Sequence, residues 1–539
     1  MAKGMRARSM GRVLAAAVAG LLLAGAAGCS RSQPPDQPTG APGSSPGQSA
    51  EEGKVLRFTI DYTKDREAEV QAIVADLRKI GIEVSARLWE KQTLLDAARA
   101  GEREAYTTDW GSSTFSPYDL AIPKLKTGDR GNFSHYSNPE VDRLFEVGAF
   151  GATEEERRQA YFKVQEILKE DAPWIFGYLR MTVEAASARV KGYRPALDSR
   201  INLHDVSLEG GDTLVVGLLT NALQSLDPAN HRDRETETVI RNMYDGLVTR
   251  TPDGKVVPEL AESWHTEDNK VWTFTLRQGV RFHDGSLMTA DDVVFTFERT
   301  LSPTGIDGQP SPRAGLLGPL EKVEKVDERT VRFTLSQPFP EFLQLLPHHQ
   351  IVSKAYVEKV GSAGLSERPN GTGPFKFVSG RLDGEVILER FDDYYGGAPD
   401  LPPVGPPPLR RVVFRMMPDP ASRVNALKAG DVHIIQAVPV DAIPELERDP
   451  DIQVLTAEGT RLYMIELNNK VFTDRRVRQA LNYAINWDAI LSAVYGGTAQ
   501  RVPTAMLPSG FGYNPDVQPY PYDPDKAREL LREAGYQVR

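Results

Sequence analysis

The single thiol of this 539-residue chain, Cys29, follows directly on the small-residue run Leu23-Ala24-Gly25-Ala26-Ala27-Gly28. One sulfur cannot close an intramolecular disulfide or build a zinc site from cysteine pairs. Acylation is the chemistry left open to it. A second group of interest is Asp109, Trp110, Gly111, Ser112, Ser113, Thr114 and Phe115. A carboxylate, an indole and a cluster of hydroxyls in one stretch suit reversible binding of a polar solute, with Trp110 as an aromatic wall. Asp119 adds a further carboxylate nearby. The eight histidines (135, 204, 231, 265, 283, 348, 349 and 433) show no metal-ligand spacing beyond the adjacent pair His348-His349. Imidazoles need clustered partners to hold a transition metal, so no metal site is expected. The chain contains no Walker motif, HExxH helix or GxGxxG fingerprint, and no GxSxG elbow at a strand-to-helix turn, its GxSxG string at residues 43–47 falling in a Pro/Gly/Ser-rich stretch. Nothing in it points to an ATPase, hydrolase or dehydrogenase of those classes, and neither catalysis nor a cofactor is expected.

Charge and the first segment narrow the setting. A net charge of −10 and a pI near 5.5 argue against nucleic-acid binding, which needs a basic face. Lys3, Arg6, Arg8 and Arg12 precede an uncharged run over residues 13–27. That run is shorter than the about 20 residues a bilayer span requires, and it reads as a signal peptide over residues 1–28. Its end resembles a bacterial lipobox, which implies cleavage before Cys29 and diacylation of that thiol. Residues 30–53, rich in Pro, Gly, Ser and Gln, cannot bury a core and read as a tether. As a coil they span roughly 27 Å. Residues 1–28 carry four positive charges and no negative one, so their removal leaves −14.

Apolar spacing predicts the elements that position these groups. Residues 55–60 alternate as a strand, Val70, Ile73, Val74, Leu77 and Ile80 repeat at helical spacing, and residues 83–89 form a second strand. Thr153 and Glu156 form a capping box for a helix carrying Ala160, Val164, Ile167 and Leu168. Strands are expected over residues 213–219 and 271–282, and a helix over residues 290–299. Thr473 is the expected cap of a helix bearing Val477, Ala480, Leu481, Ala484 and Ile485, and Asp523-Pro524 opens a last helix closed by Gly535. The fold class is mixed α/β.

Five dispersed motifs go further: PELAESWHTEDNKVWTFTLRQGVRFHDGSLMTADDVVFTFER (residues 258–299), PNGTGPFKF (369–377), ERFDDYYGG (389–397), a segment ending AGDVHII (423–435) and DRRVRQALNYAINWDAI (474–490). Together they resemble the family 5 extracellular solute-binding proteins of ABC importers, the peptide/nickel group. The resemblance implies a two-lobe, periplasmic-binding-protein type II fold with an accessory subdomain and hinge closure on an oligopeptide or similar small polar solute. It also implies delivery to an ABC permease with its ATPase, from a lipid-anchored monomer on the outer face of the membrane, with no nucleic-acid partner. The alternative is a lipoprotein hydrolase or a ligand sensor using the same cleft. Two interlobe crossings are implied near residues 459–463 and 178–183. Carried over motif by motif, the ligand-binding candidates are Thr220, Asn221, Trp110, Ser112, Ser113, Thr114 and Tyr463. Peptide binders of the family often read Trp-x-x-Asp where this chain has Trp110-x-x-Ser113, which removes the usual partner of a peptide's α-amino group. Asn425, Arg423 and Arg461 read as structural.

The order of these pieces departs from the family. The family's usual first strand sits at residues 213–219, and segments that normally follow the helix near residues 523–535 stand at residues 54–89. Circular permutation is the expectation, with the usual ends joined at Glu209, Gly210, Gly211 and Asp212. The expected layout is lobe II over 54–177 and 460–539. Lobe I spans 212–257 and 370–459, with its accessory subdomain at 258–369 and residues 178–211 as the return and joint.

Overall fold

A computed structural model describes residues 54–112, 114–398 and 405–538. Cys29, the leader, the tether and Ser113 lie outside the described residues.

The strand Arg57–Thr63, the helix Glu67–Lys79 and the strand Glu83–Trp89 form a β-α-β unit with the two strands parallel. Val70, Ile73, Val74 and Leu77 are all buried because three- and four-residue spacing sets them on one helical stripe facing the sheet. These strands join a six-stranded sheet in the order Glu83–Trp89, Arg57–Thr63, Ala105–Gly111, Arg461–Leu467, Trp174–Arg180, Ala499–Arg501. This sheet and its helices make lobe II. A seven-stranded mixed sheet makes lobe I, in the order Phe375–Gly380, Glu385–Arg390, Arg411–Met416, Thr213–Leu218, Ile434–Ile435, Thr182–Ser187, Ile452–Ala457. A four-stranded antiparallel sheet (Ala261–His265, Val271–Leu276, Thr330–Leu335, Leu320–Asp327), covered by the helix Ala290–Leu301, packs as an accessory layer.

Local chemistry departs from expectation in three places. The strand expected over residues 271–282 ends at Leu276, where the chain bends at Gln278 and Gly279. The helix Arg475–Tyr483 is capped by Asp474, not Thr473, because the Asp474 carboxylate accepts from the Arg476 N–H. Thr153 does cap Glu154–Asp171, while the Glu156 carboxylate reaches one residue further back, to the N–H of Ala152.

Among the described residues the chain passes between the two large sheets at Met181 and at residues 458–460. The two crossings touch: a Cβ on Gly459 would lie 1.7 Å from the carbonyl oxygen of Arg180. Lys54 pairs in parallel with Tyr536, and the Gln537 N–H donates to the Lys54 carbonyl at 3.1 Å. On the far side, exposed Gly210 (φ 71°) turns the chain from the short strand Ser207–Leu208 into Thr213–Leu218. A positive φ of this kind is one glycine adopts without strain.

Candidate functional site

The carboxyl ends of parallel strands are where open α/β sheets bind ligands, and residues 109–112 stand at such an end. Gly111 pairs in register with Arg461, the first residue of the strand Arg461–Leu467. Opposite them in lobe I, the charged run Arg232, Asp233, Arg234 and Glu235 enters the helix Arg234–Arg241, whose cap is the Asp233 carboxylate accepting from the Thr236 N–H at 2.7 Å. Between these elements lies a cavity of about 400 Å³, lined by Gly111, Ser112 and Arg461 from lobe II and by Asp198, Arg200, Arg232–Glu235, Glu237, Arg313, Leu316 and His348 from lobe I.

The buried charges on the lobe I wall, Asp198, Arg200, Glu237 and Arg313, are internally matched. Glu237 pairs with Arg200 at 2.8 Å and Arg313 at 3.3 Å, and faces His348 Nδ1 at 3.1 Å. Burial disfavours its charge, but the two guanidiniums outweigh burial and hold the carboxyl well below its usual range. Burial pulls His348 down to about 4, so the ring is neutral at physiological pH. Arg200 also pairs with Asp198. Across the cavity Asp109 pairs with Arg461 and, at 3.2 Å, with Lys91; these cations outweigh burial and lower its carboxyl. Arg234 is different. It donates to the Ser199 hydroxyl at 3.2 Å and to the Thr460 hydroxyl at 3.0 Å, and it finds no carboxylate partner among the described residues.

The expected site residues disperse around this cavity. Ser112 lines it, although its hydroxyl is committed to Asp119 at 2.5 Å. Thr114 is buried, its N–H donating to the same carboxylate at 3.2 Å, and it borders a separate space of about 340 Å³ further along the lobe boundary. Asp119 is therefore a local organiser of this loop. Trp110 donates from Nε1 to the Asp119 carbonyl at 2.8 Å and walls a lobe II pocket of about 240 Å³, where Lys124 and Arg130 stand 5.2 and 5.3 Å from its ring. The Asp109–Arg461 pair separates that pocket from the interlobe cavity, since Asp109 lines the one and Arg461 the other.

Thr220 and Asn221 do not line the cavity. The Thr220 hydroxyl is turned back onto the Ala222 carbonyl at 2.8 Å, and Asn221 is exposed. Tyr463 does not line it either. Its ring stacks on Tyr178 at 5.2 Å within lobe II, with Arg66 and Arg180 over its face. Arg461, read from sequence as structural, is a lining residue. Arg423 is structural: it is buried and donates to the carbonyls of Met417, Pro418, Gln436 and Ala437. Sequence reasoning missed Arg234, Arg200, Glu237 and Arg313. The one signal available was the run of four consecutive charges at residues 232–235, at the start of a helix. His348 and His349 do not converge, because His349 turns to the Leu316 carbonyl at 3.2 Å.

No described helix is long and apolar enough to cross a membrane. The described fold is the mixed α/β architecture of periplasmic binding proteins. Residues 255–539 match the family described as bacterial extracellular solute-binding proteins, family 5 Middle. The chain is 37% identical over 303 residues to heme-binding protein A of Haemophilus influenzae, covering 52% of this chain and 54% of that protein. It is 34% identical to the dipeptide-binding protein of Escherichia coli K12, over 52% of this chain and 55% of that one. The structure of HbpA2 from Haemophilus parasuis superposes with a TM-score of 0.52 at 32% identity, over 60% of this chain and 67% of that one. In each alignment with a curated relative the chain spans little more than half of that relative's length. With the family match extending over more than half of the chain, the protein belongs to the family 5 bacterial extracellular solute-binding proteins.

Proposed function

We propose that the chain is the lipid-anchored, monomeric solute receptor of an ABC importer, which encloses a small polar solute between its lobes and presents it to a permease driven by a separate ATPase. The observation that carries this reading is the charged interlobe cavity of about 400 Å³. Its size falls within the roughly 300–1,000 Å³ of small-molecule sites. Two adjacent crossings at Met181 and residues 458–460 suit a hinge. The named relatives, a heme-binding and a dipeptide-binding protein, point to solutes of peptide-like size. The same relatives are named as binding proteins, which favours the receptor reading over the hydrolase alternative.

The order of elements supports circular permutation, and the pairing of Lys54 with Tyr536 and the tight turn at Gly210 agree with it. In that arrangement the tether from Cys29 enters lobe II. Native mass spectrometry of the purified protein tests the receptor reading: a stoichiometric small solute released on denaturation is expected. Covalent turnover of that solute by the protein would overturn it.

A further inference from the structure

Among the cavity's cations that are withdrawn from solvent, Arg234 is the one without an ion pair among the described residues, Arg232 being exposed and bonded to the Pro312 carbonyl, and Arg234 stands where both lobes reach it. Arg234 is largely buried, and its two hydrogen bonds go to neutral hydroxyls, Ser199 in lobe I and Thr460 at the crossing. The nearest charged groups bearing on it are Arg200 and Arg461, both cations, and the carboxylates Asp198 and Glu235. Asp198 is already bound to Arg200. Glu235 forms no ion pair among the described residues, and burial raises its carboxyl, weakening it as a counter-charge. Arg461 approaches from lobe II: the point a Cβ would occupy on Gly111 lies 3.6 Å from the Arg461 guanidinium and 3.8 Å from that of Arg234. Two guanidiniums thus flank one point at the lobe boundary, with a glycine keeping the space open. Burying a cation without a counter-charge is costly, and planar guanidinium forks are matched to oxyanions.

Resting on the receptor reading above, we propose that Arg234, with Arg461 across the lobe gap, is the specificity-determining group for a carboxylate borne by the solute, so that the cargo is an anionic or zwitterionic small molecule. The carboxylate supplies the missing counter-charge and ties lobe I to lobe II, which favours closure when it is present. This recognition is opposite in sign to that of an acid at position 113, where this chain has a serine.

The test uses the full chain and two probes, L-alanyl-L-alanine as its free acid and as its C-terminal amide, measured by calorimetry. Wild-type protein is expected to bind the acid about 10- to 100-fold more tightly than the amide, the range of a charge-assisted hydrogen bond. Arg234→Gln is expected to abolish that discrimination, and Arg234→Lys to restore part of it. Because Arg234 also holds Ser199 and Thr460, Gly111→Val serves as a second variant that leaves those bonds in place and fills the space between the guanidiniums. It is expected to weaken the acid at least tenfold with an unchanged melting temperature. Equal binding of acid and amide, or unaltered discrimination in Arg234→Gln, overturns the proposal. So does a wild type that binds neither probe at millimolar concentration. A co-purified solute, identified separately by mass spectrometry, reports on the receptor reading whichever way the carboxylate test falls.

Discussion

Glu184 lies wholly buried in the strand Thr182–Ser187, just past the crossing at Met181, with the Tyr193 hydroxyl donating to it. Burial raises its carboxyl to about 7. The folded chain therefore keeps a proton that the unfolded chain releases at lower pH, and this group's contribution to stability declines as pH rises from about 4.5 through 7. Glu184→Gln keeps the acceptor for Tyr193 and removes the titration. The variant is expected to melt close to wild type near pH 4.5 and a few degrees above it at pH 8, a scale set by the melting behaviour of large domains. A difference in melting temperature that stays constant with pH would contradict this. Arg234 and Glu184 illustrate the same rule: a buried charge without a strong partner marks either a cost the fold tolerates or a place held for a ligand. Arg234 lines the interlobe cavity and Glu184 is not part of its lining.

The crossings are the elements that let two separately packed lobes work as one receptor. Gly459 lies against the backbone of the other crossing, and a Cβ there would fall inside van der Waals contact with the Arg180 carbonyl. Gly459→Ala must displace one crossing from the other and is expected to cost about 2–3 kcal/mol in urea unfolding, within the range of steric substitutions at packed sites. Away from the hinge the lobes meet through the Arg157–Glu341 ion pair at 3.0 Å, with Tyr118 and Phe150 packed on Phe339. Burial raises the Glu341 carboxyl, while Arg157 pulls it back down. Glu341→Gln loosens this contact without emptying the space. Small-angle scattering of the unliganded variant is expected to give a larger radius of gyration than wild type. An unchanged radius would mean that the aromatic contact alone holds the lobes.

At the scale of the whole molecule, the proposed permutation and anchor each have a direct test. A chain that begins at Asp212, joins Tyr536 to Lys54 through a short linker and ends at Glu209 is expected to fold with wild-type circular dichroism and to bind the same solute. Failure to fold would show that the present order is needed. Cys29→Ala is expected to abolish labelling by a fatty-acid probe; retained labelling would place the lipid elsewhere. Much of the fold was legible in the sequence. Helical spacing at residues 70–77 and the caps at Thr153 and Asp523 depend on neighbours a few residues away, so the sequence displays them. The cap at Asp474 was misread by one residue because two adjacent side chains can both act as caps. The site was less legible. Thr220, Asn221 and Tyr463 carry suitable chemistry, but their contacts turn them away from the cavity. Family membership and the α/β alternation were determined by the sequence itself, because each is a pattern along the chain. Only the tertiary structure decided which charges remain unmatched. Asp198, the helix that carries both Arg234 and Glu237, and Arg461 come from three separate segments of the sequence, and whether a charge is spent or spare depends on partners that folding alone brings within bonding distance.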